Sequence, residues 1–135
     1  MPTEATKHTV AKFLDEVDVA LIAENAVFTM MADGQETHGR EAIQQLIQYF
    51  YQIAFDGAHE TSRTIFADEF ATVEGYLVGR HIGEFAGIPA TDKAVRVPMC
   101  HIFEVQDGLI QRAHIYFQMI TLMQQIGVLP AEDPA

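Results

Sequence analysis

The residues of this chain best suited to chemistry are histidines set in rows of apolar side chains. Val95, Val97, Met99, His101, Phe103 and Val105 alternate along one stretch, so they share one face of a strand, and His101 is the only polar member. That face must be buried, which gives His101 either a bound carbonyl or a protein group as its partner. A second stretch divides into Ile110, Arg112, His114, Tyr116 and Gln118 against Leu109, Gln111, Ala113, Ile115 and Phe117; alternation alone does not say which set turns inward. A third places His81 between Gly79 and Gly83 on the smaller, more apolar face that also carries Ala71, Val73, Gly75 and Leu77. Those glycines either leave room for a ligand or close-packed helix, or mark bulges that curve the sheet. Tyr49, Phe50, Tyr51 and Phe55 form an aromatic cluster that either roofs an aromatic substrate or is plain core. Methionines such as Met99 suit a pliable cavity wall. His81, His101 and His114 could meet as a three-histidine metal site, but there is no His-x-His or His-x-x-x-His pair, no cysteine ligand and no obvious carboxylate partner, so no metal is expected.

The elements that must position these groups follow from periodicity. Val10, Phe13, Leu14, Val17 and Leu21 recur at helical spacing, and Asp18 is a suitable N-cap for a second short helix over 19–24. A strand over 26–31 and the turn Ala32-Asp33-Gly34-Gln35 predict a first hairpin. From Gly39 onward Ala42, Ile43, Leu46, Ile47, Phe50 and Ile53 mark a third helix. After Asp56-Gly57 the period falls to two, which predicts long strands over 61–67, 70–85, 95–105 and 109–117, paired in sequence, with Gln106-Asp107-Gly108 as the clearest hairpin turn. Helices first and strands later predict an α+β domain with helices on one face of a curved antiparallel sheet.

The chain has 135 residues, enough for a single domain spanning 1–135, and 49% of them are hydrophobic, enough for a core without staples. The net charge of −11 would repel phosphate backbones and anionic headgroups, so neither nucleic acid nor a membrane is an expected partner. One cysteine, Cys100, permits no internal disulfide, and no leader or bilayer-length apolar run is visible; both features predict a cytoplasmic protein.

Several segments together resemble the SnoaL-like polyketide cyclases of the nuclear-transport-factor-2-like superfamily. They are Asp18-x-x-Ala-Leu before Ala26-Val27-Phe28; Gly39-Arg40-Glu41-Ala42-Ile43; Gly79-x-His81-x-Gly83-x-Phe85-x-Gly87-x-Pro89-Ala90-Thr91; Asp107-Gly108-x-Ile110; and Tyr116-Phe117-Gln118 with Leu122-Met123-Gln124-Gln125-Ile126-Gly127. The resemblance implies a cone-shaped α+β fold around an apolar pocket, an intramolecular aldol step, and no metal or cofactor. It also implies an acid/base aspartate at the end of the last strand, pointing inward, where this chain has Gln118, whose amide hydrogen-bonds a carbonyl but accepts no proton at neutral pH. Asn25 likewise stands where many relatives have Asp. On that footing the face carrying His114, Tyr116 and Gln118 lines the pocket. His101 or His114 then acts as base beside a carbonyl, with Tyr116 or Gln118 orienting its oxygen, as in ketosteroid isomerase logic. Tyr116, His81, Tyr49, Phe50, Met99 and Phe103 are the expected substrate-binding residues. The expected partners are a small hydrophobic molecule and a second copy of the chain covering the open sheet face. The alternative function is a non-catalytic pocket or carrier for a small apolar ligand, and a dimer scaffold with a filled cavity is a third reading.

Overall fold

The structure is a computed structural model that describes residues 2–129. Helix α1 (Pro2–Glu16) buries Val10 and Phe13, and its two buried threonines fasten it to the sheet. Thr6 Oγ1 donates to Asp68 O at 2.7 Å and Thr9 Oγ1 donates to Gly108 O at 3.0 Å, so the helix is tied to two strand turns. The helix ends at Val17, a β-branched residue held at φ 50°, where side chains are crowded. Asp18 then caps a single 3₁₀ turn (Val19–Leu21) by accepting the Ala20 N–H at 3.0 Å. The cap is the one the sequence predicts. The helix expected over 19–24 is shorter, because Ile22 already begins β1 (Ile22–Met30) and joins the sheet.

β1 forms a hairpin with β2 (Gln35–His38), and α2 (Arg40–Gln48) follows from Gly39, whose φ of 93° suits only glycine. α2 runs into a π-helical turn (Tyr49–Ile53), closed by the Ala54 N–H donating to Tyr49 O at 2.7 Å across five residues. Four long strands come next: β3 (Phe55–Ala67), β4 (Phe70–His81), β5 (Ala94–Gln106) and β6 (Leu109–Phe117). The sheet order is β2-β1-β6-β5-β4-β3, and the sequential antiparallel pairing of β3 to β6 is as expected. β1 adds a parallel partner to β6, a pairing that local sequence cannot announce because the two segments are far apart in the chain.

α3 (Met119–Gln125) closes the end of the sheet. Leu122 and Ile126 are buried there, while the Gln125 amide accepts from Arg96 N at 2.7 Å and donates to Arg96 O at 2.9 Å, locking the helix to β5. Two apolar clusters fill the concave side. One centres on Val10, Phe28 and Phe103, the other on Phe55, Phe85 and Leu122, and Met30 and Met99 pack against both. Among the described residues no helix is long and apolar enough to cross a membrane.

Candidate functional site

Where the two clusters meet, the concave face encloses a cavity of about 430 Å³, within the usual range for small-molecule sites of roughly 300–1,000 Å³. Phe13 and Leu14 of α1, Ile47 and Phe50 near the end of α2, and Leu77, Met99, Phe103, Ile115 and Phe117 of the sheet make most of its wall. Three polar side chains reach this apolar interior: His101, His59 and Tyr51. Asp15 and Gln52 also line it, and both are exposed to solvent.

His101 lies where the alternation along β5 puts it, and its ring stacks on Phe103 at 5.4 Å with only 4° between planes. His59 comes across from β3, its ring meeting His101 edge-on with centroids 5.1 Å apart. The strand between them, β4, presents Gly75 at this point. A Cβ there would lie 3.0 Å from His59 Cε1 and 2.1 Å from Glu60 O, so the missing side chain is what lets β3 and the His59 ring come so close. His59 Nδ1 is 3.1 Å from Thr61 Oγ1, while His59 Nε2 and His101 Nδ1 are buried with no hydrogen-bond partner among the described residues. Burial, and secondarily the neighbouring His59, push the His101 imidazole down to about 3 from 6.5; burial lowers His59 as well. Both rings are therefore neutral at pH 7. Tyr51 is half-buried with its hydroxyl end enclosed, which raises its phenol to about 12, and among the described residues that hydroxyl donates only to Met99 Sδ at 3.9 Å.

The structure places five of the candidate residues, His114, Tyr116, Gln118, His81 and Tyr49, away from the cavity. The inward face of β6 is the one bearing Ile115 and Phe117, so His114, Tyr116 and Gln118 point to solvent and do not line the cavity. The cause is a bulge: Glu104 pairs with Arg112 but Val105 with Ile110, so Gln111 is an extra residue and both Ile110 and Ala113 are buried. Gln118 instead accepts a hydrogen bond from Thr121 Oγ1 at 2.9 Å in the first turn of α3. His81 is fully buried off the cavity, its Nδ1 3.0 Å from Thr91 Oγ1 and accepting the Thr91 N–H at 3.3 Å, beside the Phe55 ring. The flanking glycines admit backbone rather than ligand, since a Cβ at Gly79 or Gly83 would lie 2.3 Å from Asp56 O or 2.2 Å from Ile53 O. Tyr49 also faces away from the cavity, stacking on Phe85 and donating to Glu84 O at 3.0 Å. Phe50, Met99, Phe103 and His101 line the cavity.

His59 escaped the sequence reading because Asp56-Gly57 looks like a turn, whereas β3 already starts at Phe55. The usable signal was the alternation Phe55, Gly57, His59, Thr61. His81, His101 and His114 do not converge, and among the described residues no three His, Cys, Asp or Glu side chains are grouped so as to hold a metal ion.

A curved sheet wrapped around helices over an apolar cavity is the nuclear-transport-factor-2-like cone, which confirms the expected fold class. The sequence matches the SnoaL-like polyketide cyclase family over residues 9–126, and the chain belongs to that family. Similar solved structures include a candidate SnoaL-like polyketide cyclase from Jannaschia sp. CCS1, with TM-score 0.84 and 18% identity over 95% of each chain. IdmH from Streptomyces antibioticus, described as a candidate polyketide cyclase, aligns with TM-score 0.74 and 22% identity over 91% of this chain and 99% of its own. A candidate ketosteroid isomerase from Kribbella flavida DSM 17836 aligns with TM-score 0.68 and 19% identity over 98% and 84%. No curated protein matches the sequence.

Proposed function

We propose that the protein is an acid/base catalyst that moves a proton next to the carbonyl of a small, hydrophobic substrate, with His59 and His101 as the working groups. The observation that carries this is the pair of touching imidazoles in an apolar cavity, each offering a buried nitrogen without a partner. Buried polar atoms are mostly paired; His81 Nε2 also has no partner among the described residues but lies off the cavity, so it is the cavity position of His59 and His101 that makes them available to a ligand. With Nδ1–H donated to Thr61 Oγ1, His59 Nε2 carries the ring's free lone pair and is the nitrogen that takes a proton from the carbon beside the carbonyl. The electron pair moves onto the carbonyl oxygen, where neutral His101 supplies a hydrogen bond. In an isomerisation the proton returns at another carbon. In an aldol closure the enolate carbon bonds to a second carbonyl, whose oxygen takes the proton. Neither route requires a cofactor.

The test is deuterium incorporation beside the carbonyl of a hydrophobic ketone in D₂O, followed by NMR, for the wild type, His59→Gln and His101→Gln. Catalysed exchange that His59→Gln abolishes supports the assignment; exchange unchanged in both variants refutes it. A carrier is the second reading, favoured by the outward position of Gln118 and the absence of any buried carboxylate from the cavity wall. Tight binding of the ketone with no exchange would select it.

We propose further that a second copy covers the outer sheet face. There Arg63 is paired with Glu74 and Arg96 with Glu60, while Ile65, Phe70 and Tyr116 stay 53%, 46% and 42% exposed. A chain of net charge −11 meets its copy at least cost where charge is already neutralised and apolar surface is open. Sedimentation of the wild type as a dimer and of Phe70→Asp as a monomer would support this, and a monomeric wild type would refute it.

A further inference from the structure

Asp15 and Gln52 line the cavity from its solvent-exposed rim, so Tyr51 is, among the described residues, the one inward polar side chain that the proposed proton transfer does not use. It stands in the π-helical turn after α2, which brings the neighbouring side chains of Phe50 and Tyr51 both onto the cavity. Its hydroxyl is buried, and its sole hydrogen-bond partner among the described residues is the thioether of Met99 at 3.9 Å. Sulfur of this kind is a weak acceptor, while a buried phenol normally finds an oxygen or nitrogen. The donor is thus placed in the cavity with its hydrogen nearly unspent.

We infer that Tyr51 is the specificity residue of this cavity, its hydroxyl donating to the carbonyl oxygen of an uncharged ligand and so selecting ketones and esters over carboxylates. The inference rests on the proposed function only in giving the ligand a carbonyl group. Two further features point the same way. Among the described residues no lysine or arginine lines the cavity, so a carboxylate would lose its hydration without gaining a cation. The two histidines are held neutral by burial, and the phenol stays protonated and so remains a donor across the working range of pH. A neutral carbonyl gives up little hydration and recovers it in the one bond that Tyr51 offers. Phe50 beside it adds an aromatic wall suited to a planar ligand.

The experiment compares three probes of one shape at pH 7, namely 2-acetylnaphthalene, 2-ethylnaphthalene and 2-naphthoate, binding to the wild type and to Tyr51→Phe. The ketone should bind the wild type more tightly than the carboxylate, and Tyr51→Phe should weaken the ketone about five- to tenfold, the net effect of one buried hydrogen bond. The hydrocarbon should change less than about twofold on the same reasoning. The carbonyl stretch of carbonyl-labelled ketone should rise in frequency when the hydroxyl is removed, a change that a purely packing role would not cause. Equal weakening of ketone and hydrocarbon would overturn the inference, as would an unshifted carbonyl stretch or a preference for the carboxylate. A wild type that binds none of the probes would overturn it together with the proposed function. Ketone binding that depends on Tyr51 in a protein that exchanges no protons would refute the catalytic reading alone.

Discussion

Replacing His101 with glutamine removes a proton-binding site that the folded chain suppresses and the unfolded chain does not. In the native state the imidazole ionises at about 3, against 6.5 when exposed, because it is buried and next to His59. Above pH 6.5 neither state binds the proton and His101 contributes nothing to pH dependence. Between 6.5 and about 3 the unfolded chain carries one more proton than the native one, so stability falls as pH falls. Integrating this single site from pH 7 to pH 5 gives a loss of about 2 kcal/mol, and to pH 4 about 3 kcal/mol. Urea unfolding at pH 7 and pH 5 measures this directly. The quantity to compare is the drop between the two pH values, which cancels whatever His101→Gln does to packing. The wild type should lose about 2 kcal/mol more than the variant over that interval. Parallel losses in the two proteins would mean that His101 titrates normally, and the picture of an enclosed, neutral imidazole would be wrong.

Gln118→Ala should leave ligand binding and proton exchange unchanged within about twofold, since its side chain serves only Thr121 at the start of α3; loss of activity in the exchange assay would contradict its outward position. Gly75→Ala should destabilise the fold and separate the histidine rings, because its Cβ would lie 2.1 Å from Glu60 O; a melting temperature equal to wild type would show that β3 and β4 are not so closely pressed. Phe103→Ala, deleting a ring packed edge-on against Phe13 and Phe28 and stacked on His101, should cost about 3–5 kcal/mol in urea unfolding. The exchange rate should be full at neutral pH and fall on acidification through an ionisation below 6.5, since His59 must be unprotonated to accept and burial lowers it; a rate that rises on acidification would exclude His59 as base.

The residues that were legible from sequence are those whose environment is set by their own strand. Val95, Val97, Phe103 and Val105 are buried at alternate positions of β5, so the inward position of His101 between them follows from local pattern alone. On β6 the same rule fails because one bulge residue, Gln111, shifts the phase between Ile110 and Ala113, and its place depends on the partner strand. The face of His114, Tyr116 and Gln118 is therefore decided by pairing, which alternation does not contain. The start of β3 fails for a different reason. Asp56-Gly57 is ordinary turn chemistry, yet Gly57 lies in a strand and pairs with Gly79, a contact over twenty residues away. Tyr51 needed the π turn to be known, since ordinary helical spacing puts Phe50 rather than its neighbour on the apolar stripe.

If imidazoles in the interior take the role of the strand-end carboxylate that the family resemblance implies, as proposed above, the cavity asks something different of its substrate. A carboxylate base brings one negative charge and ends neutral, passing the charge to the enolate, so charge is conserved inside the cavity. A neutral imidazole starts uncharged and ends as a cation facing an anion, so it must create two charges in an apolar space. His101, enclosed and ionising near 3, is poorly placed to hold that cation. His59 is less deeply enclosed and shares Thr61 Oγ1, which can stabilise an Nδ1–H as positive charge develops on the ring. Under the proposed function, that asymmetry is the reason for assigning the base to His59 and the hydrogen bond to His101. The two charges then form a few ångströms apart, where low polarity strengthens their attraction and so offsets part of the cost of forming them. A substrate whose enolate spreads its charge over a conjugated system lowers that penalty further, which makes conjugated ketones the compounds on which this site should act fastest.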